Sequence, residues 1–201
     1  VSFWVADPTQ SIIVNYNRHN QSEGAGFLFN LILTFTHELF GYKSDIGRYL
    51  SAIFGILSIF SIGYLAKKNS KNNFYLLVIF LISSNIFLIK YSQELRVYSL
   101  LFFLSILTLI FFDNLINLNQ SKKKIYTNSF LFIFFQILTI MSHLFGAIIF
   151  FSILKYYILY FILKKKLITN LNIPIFLISI FLLFYISFYL KSAEISPTWI
   201  T

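Results

Sequence analysis

"LLVIFLISSNIFLIKYSQELRVYSLLFFLSILTLIFF", residues 76–112, decides how the chain is read. Two apolar runs, 76–89 and 100–112, flank the stretch "KYSQELRVYSL", which holds Lys90, Glu94 and Arg96. Each run approaches the ~20 residues with which a helix crosses the hydrocarbon core of a bilayer. The charges fall where such a chain would turn at a membrane surface. Composition agrees: 58% of the residues are hydrophobic, 20% aromatic and only 11% charged. Soluble domains carry about 25% charged residues. A soluble all-helical core this apolar would need every helix buried all round, which 201 residues cannot do. The sequence therefore predicts an all-α, polytopic transmembrane helical bundle.

Working outward gives about six spans, near 46–66, 74–90, 97–112, 125–141, 144–163 and 173–190. The loops "KKNSKNN" (67–73), "NQSKKK" (119–124) and "KKKLITN" (164–170) carry nine of the lysines and fall on one side under this count. The positive-inside rule makes that side cytoplasmic. The net charge of +9 is thus a membrane-anchoring pattern, and no nucleic-acid partner is expected. Asp7, Glu23, Glu38, Asp45, Glu94 and Glu194 gather on the outer side, with Asp113 alone at a cytoplasmic end. Span centres read as nearly free of charge. No cysteine is present, which excludes disulfides and thiolate metal sites. The chain opens on Val1 in a polar stretch without a leader, so an upstream portion is expected, and 191–201 reads as the start of a further outer segment.

Residues 1–45 read as an outer loop with membrane-surface helices, and 46–190 as the bundle. Asp7 is a plausible N-cap, with Pro8 at the first helical position. "GAGFLFNLILTFTHELFGY" holds an apolar stretch too short and too polar at one end to span comfortably, so an interfacial helix ended by Gly41 is expected. No nucleotide loop, zinc-protease or serine-hydrolase motif is present, so nucleotide-dependent chemistry has no visible support.

In "KYSQELRVYSL", a span beginning near Gln93 would be capped by Ser92, with Glu94 and Arg96 in its first turn. A cation there is disfavoured by the helix dipole unless an anion binds. Tyr91, Glu94 and Tyr98 would share a helix face. Two readings stay open on chemistry alone: an anion site, or ion pairs of Lys90, Glu94 and Arg96 among interfacial tyrosines. His143 in "SHLFG" is either a polar group facing the same cavity or an interfacial histidine bonded to backbone. Arg48 opens a span from the outer side and pairs with Asp45 at i, i+3. Asp7 is a candidate general base at the membrane surface. Glu23 reads as a solvated loop acid, and His19 and His37 as interfacial. The three scattered histidines match no metal-site spacing.

Three stretches in order resemble one family. "YSQELRVYSL" (91–100) resembles the Y-S-Q-E-x-R-x-Y-S-L signature of polytopic GT-C glycosyltransferases of the family 39-like group. That group is related to protein mannosyltransferases, aminoarabinose transferases and Rgt-type galacturonosyltransferases. "ELFGYKSDIGRYLSAIFGILSI" (38–59) is similar to the start of that family's second span. "MSHLFGAIIF" (141–150) is similar to its "t-H-y-f-g" turn. The resemblance covers most of the chain. Its W-x-D-E motif falls on Trp4-Val5-Ala6-Asp7, where Ala6 departs from the first acid and Asp7 remains. The family's Pro-Pro-Leu-Tyr-Tyr becomes "AGFLF". The resemblance implies a GT-C-like bundle in a bacterial plasma membrane, with its active site on the outer face. It implies a polyprenyl-phosphate sugar donor, a lipid, glycan or protein acceptor, and inversion at the anomeric carbon. Asp7 would be the base and Arg96 would hold the donor phosphate. Glu94 would orient Arg96, or bind the acceptor or a divalent metal. Tyr91, Tyr98, His143 and Arg48 would line the cavity. No other cofactor is called for. The rival readings are a transporter or lipid flippase, and a structural membrane subunit.

Overall fold

The computed structural model describes residues 27–41, 44–70, 73–116, 121–164 and 168–194. Among the described residues the chain is all-helical. In chain order the helices are α1 (Phe27–Phe40), α2 (Ser44–Asn69), α3 (Phe74–Ser83), α4 (Ile86–Gln93), α5 (Tyr98–Ile116), α6 (Lys122–Ser142), α7 (Gly146–Lys164) and α8 (Thr169–Glu194). Five helices, α2 and α5–α8, are long and apolar enough to cross a membrane, and the α3–α4 pair makes a sixth span if counted as one. Large side chains such as Phe60, Phe80, Phe130 and Phe184 stand exposed on the outside of the bundle. An apolar exterior of this extent needs lipid around it. The chain is a multi-pass integral membrane protein.

The span expected at 74–90 is broken. α3 and α4 meet at a 51° bend. Asn85 makes the break tolerable: its side-chain oxygen accepts from the Phe87 and Leu88 N–H groups at 3.0 and 3.1 Å. On the other side of the break the Ser83 and Ser84 hydroxyls donate to the Phe80 carbonyl. Backbone groups in lipid must be satisfied locally, and "SSN" supplies the side chains that do it.

Helices in lipid associate by close packing and internal hydrogen bonds, because tails are as apolar as leucine. The centre of the bundle is the α5–α6 pairing. There Thr108 and Thr139 share a buried hydroxyl hydrogen bond at 3.2 Å, and Phe111 stacks on Phe135. One apolar cluster joins α5–α8 through Leu115, Phe132, Phe150 and Ile178. A second joins α1 to the start of α5 through Phe29, Leu33, Val97, Leu100 and Leu104. Small residues set the close approaches. A side chain at Gly55 would collide with Ser92, and one at Gly146 with the Thr139 carbonyl.

α1 has fourteen residues, about 21 Å at 1.5 Å per residue, short of a ~30 Å hydrocarbon core. Gly41 ends it as expected. Its φ is 87°, and its N–H donates to the His37 carbonyl at 2.9 Å, a left-handed cap that glycine adopts without strain. Away from α1, the Lys68 ammonium pairs with Asp113 at 2.6 Å and donates to Asn114, clasping α2 to α5. The nearby Lys67 lies over the Tyr75 ring.

Candidate functional site

Residues 94–97 are a bent connector and not the first turn of a helix; the Arg96 N–H donates to the Glu94 carbonyl at 2.9 Å. α4 runs through Gln93, Glu94 is its C-cap, and α5 starts at Tyr98. Ser92 caps nothing; its hydroxyl donates back to the Leu88 carbonyl. The expected helix start at Gln93 fails because 95 and 97 are needed as anchors. Leu95 packs on Gly47 of α2, and Val97 is buried in the second core cluster. Leu95 and Val97 are turned inward by the bend, and the Glu94 and Arg96 side chains stay part-exposed.

The outward pair is an ion pair. Arg96 Nε lies 3.2 Å from one Glu94 oxygen, and Lys90 Nζ reaches the other at 4.0 Å. Two cations face one carboxylate, so the cluster keeps a net positive charge. Arg96 is 45% and Glu94 36% exposed. Among the described residues Arg96 has no ion-pair partner other than Glu94. The ion-pair reading of these charges therefore holds, and it leaves the guanidinium part-exposed.

Tyr91, Glu94 and Tyr98 do not share a helix face. The turn brings Tyr91 and Tyr98 together all the same, with ring centroids 4.8 Å apart. Tyr98 also faces His143, at 5.8 Å. His143 caps the end of α6 and is buried. Its Nδ1 accepts from the Phe145 N–H at 3.0 Å. An acceptor at Nδ1 puts the proton of the neutral ring on Nε2. His143 is thus backbone-bonded and also part of the aromatic row Tyr91–Tyr98–His143–Phe145.

Below this row runs an apolar groove of about 570 Å³ between the broken α3–α4 span, α5 and α7. Tyr91, Tyr98 and Phe145 line it beside the charged connector, and Asn85, Phe102 and Leu109 line it further down. The volume falls within the ~300–1,000 Å³ of small-molecule pockets. No sequence signal located this groove, because it exists only where three helices and a bend meet.

Arg48 stands apart from the Glu94–Arg96 pair. It is exposed and lies 3.9 Å from Asp45, the expected i, i+3 contact. Its neighbour Gly47 touches Leu95, so the first turns of α2 flank the connector. α1 covers the same end, burying Asn30 and His37. Burial pushes the His37 imidazole below the usual histidine range. Asp7, Glu23 and His19 lie outside the described residues. Among the described residues no three carboxylate or imidazole groups converge as a metal site would require.

One charge was missed. Lys155 sits at the middle of α7, against the expectation that span centres carry almost none. It is exposed on the outside of the bundle and lines neither the groove nor the connector. No known protein family, curated protein or solved structure matches the chain.

Proposed function

We propose that the chain is a GT-C-type membrane glycosyltransferase that moves a sugar from a polyprenyl-phosphate donor to an acceptor hydroxyl at the outer face of a bacterial plasma membrane. The observation that carries this reading is the junction of an apolar groove with a part-exposed guanidinium, across Tyr91 and Tyr98. A lipid phosphate has those two parts, a long apolar tail and a compact anion. The tail would lie along Phe102 and Leu109, and the phosphate would take the terminal nitrogens of Arg96 as a charge-assisted pair. Glu94 would hold Arg96 from the Nε side. The Tyr98 and His143 rings would border the sugar.

In the reaction the acceptor oxygen attacks the anomeric carbon while the bond from that carbon to the phosphate oxygen breaks. The acceptor proton passes to the Asp7 carboxylate. Polyprenyl phosphate leaves with the bonding electron pair, its charge countered by Arg96. The donor carries its own leaving group, which accounts for an enzyme without a nucleotide motif.

A flippase or transporter is the second reading, and the broken α3–α4 span favours it, since discontinuous helices form substrate sites in transporters. At this break, however, the Phe87 and Leu88 amides are taken by Asn85. The test is turnover by the purified protein in lipid, supplied with polyprenyl-phosphate sugars and candidate acceptors. A hydrogen bond to a charged group contributes about 1.5–3 kcal/mol, so Arg96→Ala should weaken use of the donor by tenfold to a hundredfold or more. Asp7→Asn should abolish turnover while leaving donor binding intact. Wild-type turnover by both variants would overturn the assignment.

A further inference from the structure

We infer that the outward face of α7 is a docking seam for a second membrane-spanning helix that carries a carboxylate at mid-depth, with Lys155 as its register-setting contact. α7 buries Gly146, Ala147, Phe150 and Ile153 against the bundle. Its opposite side exposes Ile148, Phe151, Lys155, Ile158 and Ile162. Their spacing is 3, 4, 3 and 4, the a/d repeat of helix pairing, with Lys155 at the central a position. Ile148 also borders the groove, and the other four do not. Lys155 lies nine residues from either end of α7, about 13–14 Å by helix rise. A lysine at that depth is costly in lipid unless it is paired.

The described residues hold no partner for it. Among the described residues no acid lies within ion-pair distance of Lys155. The acids of the described residues also sit at another depth: Glu38 lies in α1, and Asp45, Glu94, Asp113 and Glu194 are at the ends of their helices. A second copy of the chain is disfavoured for the same reason, and a two-fold contact across this seam would set Lys155 against Lys155. Lone polar or basic residues at an a position fix register and partner choice at a cost in stability. Charge complementarity therefore commits the seam to a helix other than those described, with a buried aspartate or glutamate.

The test uses the whole chain in neutral phosphatidylcholine vesicles and a synthetic polyleucine membrane helix, labelled for energy transfer, with one aspartate at its centre. The expected result is association at least tenfold tighter than for the all-leucine helix. Lys155→Arg should keep that preference and Lys155→Leu should remove it. Equal binding of the two synthetic helices would overturn the inference, as would an aspartate preference that survives Lys155→Leu. Self-association of the chain through Phe151 and Ile158 would overturn it as well. So would full labelling of Lys155 by a water-soluble amine reagent that the aspartate helix does not suppress, since that is a lysine reaching the surface.

Discussion

Arg96 and Glu94 are adjacent because the connector bends between them, and that geometry decides what each can do. Had 94–97 been a helix turn, the two side chains would diverge by about 200° around the axis. In the bend they meet, with a carboxylate oxygen 3.2 Å from Nε of the guanidinium. In the proposed site that contact would let Glu94 orient Arg96. The other titratable group with a marked environment is His37. Burial lowers its pKa in the folded protein, so the unfolded chain binds more protons below the usual value of 6.5. The stability held by a neutral His37 is complete above that value and is lost as pH falls below it toward the folded pKa. Amide protection factors of residues 28–40, corrected for the intrinsic exchange rate, should therefore fall between pH 7 and pH 5. His37→Leu should remove that dependence. Unchanged pH dependence in the variant would mean that another group governs α1.

Among the elements, two glycine contacts make opposite predictions. A methyl at Gly146 meets the Thr139 carbonyl, which is backbone and cannot yield without moving α7 from α6. A methyl at Gly63 meets only side-chain atoms of Ile79, which can turn aside more readily than backbone. Gly146→Ala should cost about 1–3 kcal/mol of overpacking, and Gly63→Ala close to nothing. Thermal unfolding in detergent checks both, and equal midpoints would show that the α6–α7 approach is looser than described. Much of this level is legible in the sequence. The long spans, the Gly41 cap and the Asp45–Arg48 contact follow from apolar length, a terminal glycine and i, i+3 spacing. The break at Ser84–Asn85 does not, because a hydropathy window sums through it, although Asn before an apolar run is a cap signal. Lys155 is hidden in the same way: one charge barely lowers the average of a 19-residue span. The groove and the Tyr98–His143 contact depend on residues 45 positions apart, and no local pattern encodes them.

For the whole molecule, the two ends of the bundle differ chemically. One carries the Glu94–Arg96 connector, the aromatic row and α1. The other carries Lys67, Lys68 and the exposed Lys122, Lys123 and Lys124. The positive-inside rule would place the second on the cytoplasmic side. The absence of cysteine makes this easy to check with single introduced thiols. In sealed right-side-out vesicles, an impermeant maleimide should label Gln93→Cys at once and Ser121→Cys only after permeabilisation. The reverse order would put the charged connector on the cytoplasmic side, away from any outer-leaflet donor.

In the proposed function the groove beneath Tyr91 and Tyr98 holds the tail of a lipid whose phosphate rests on Arg96. A polyprenyl phosphate with a diazirine on its chain tests this directly in the reconstituted protein. The account predicts adducts within 85–109 and 145–149, competed by unlabelled polyprenyl phosphate far better than by the free prenol, with that preference lost in Arg96→Ala. Equal competition by phosphate and alcohol, or a phosphate preference that persists in Arg96→Ala, would contradict it.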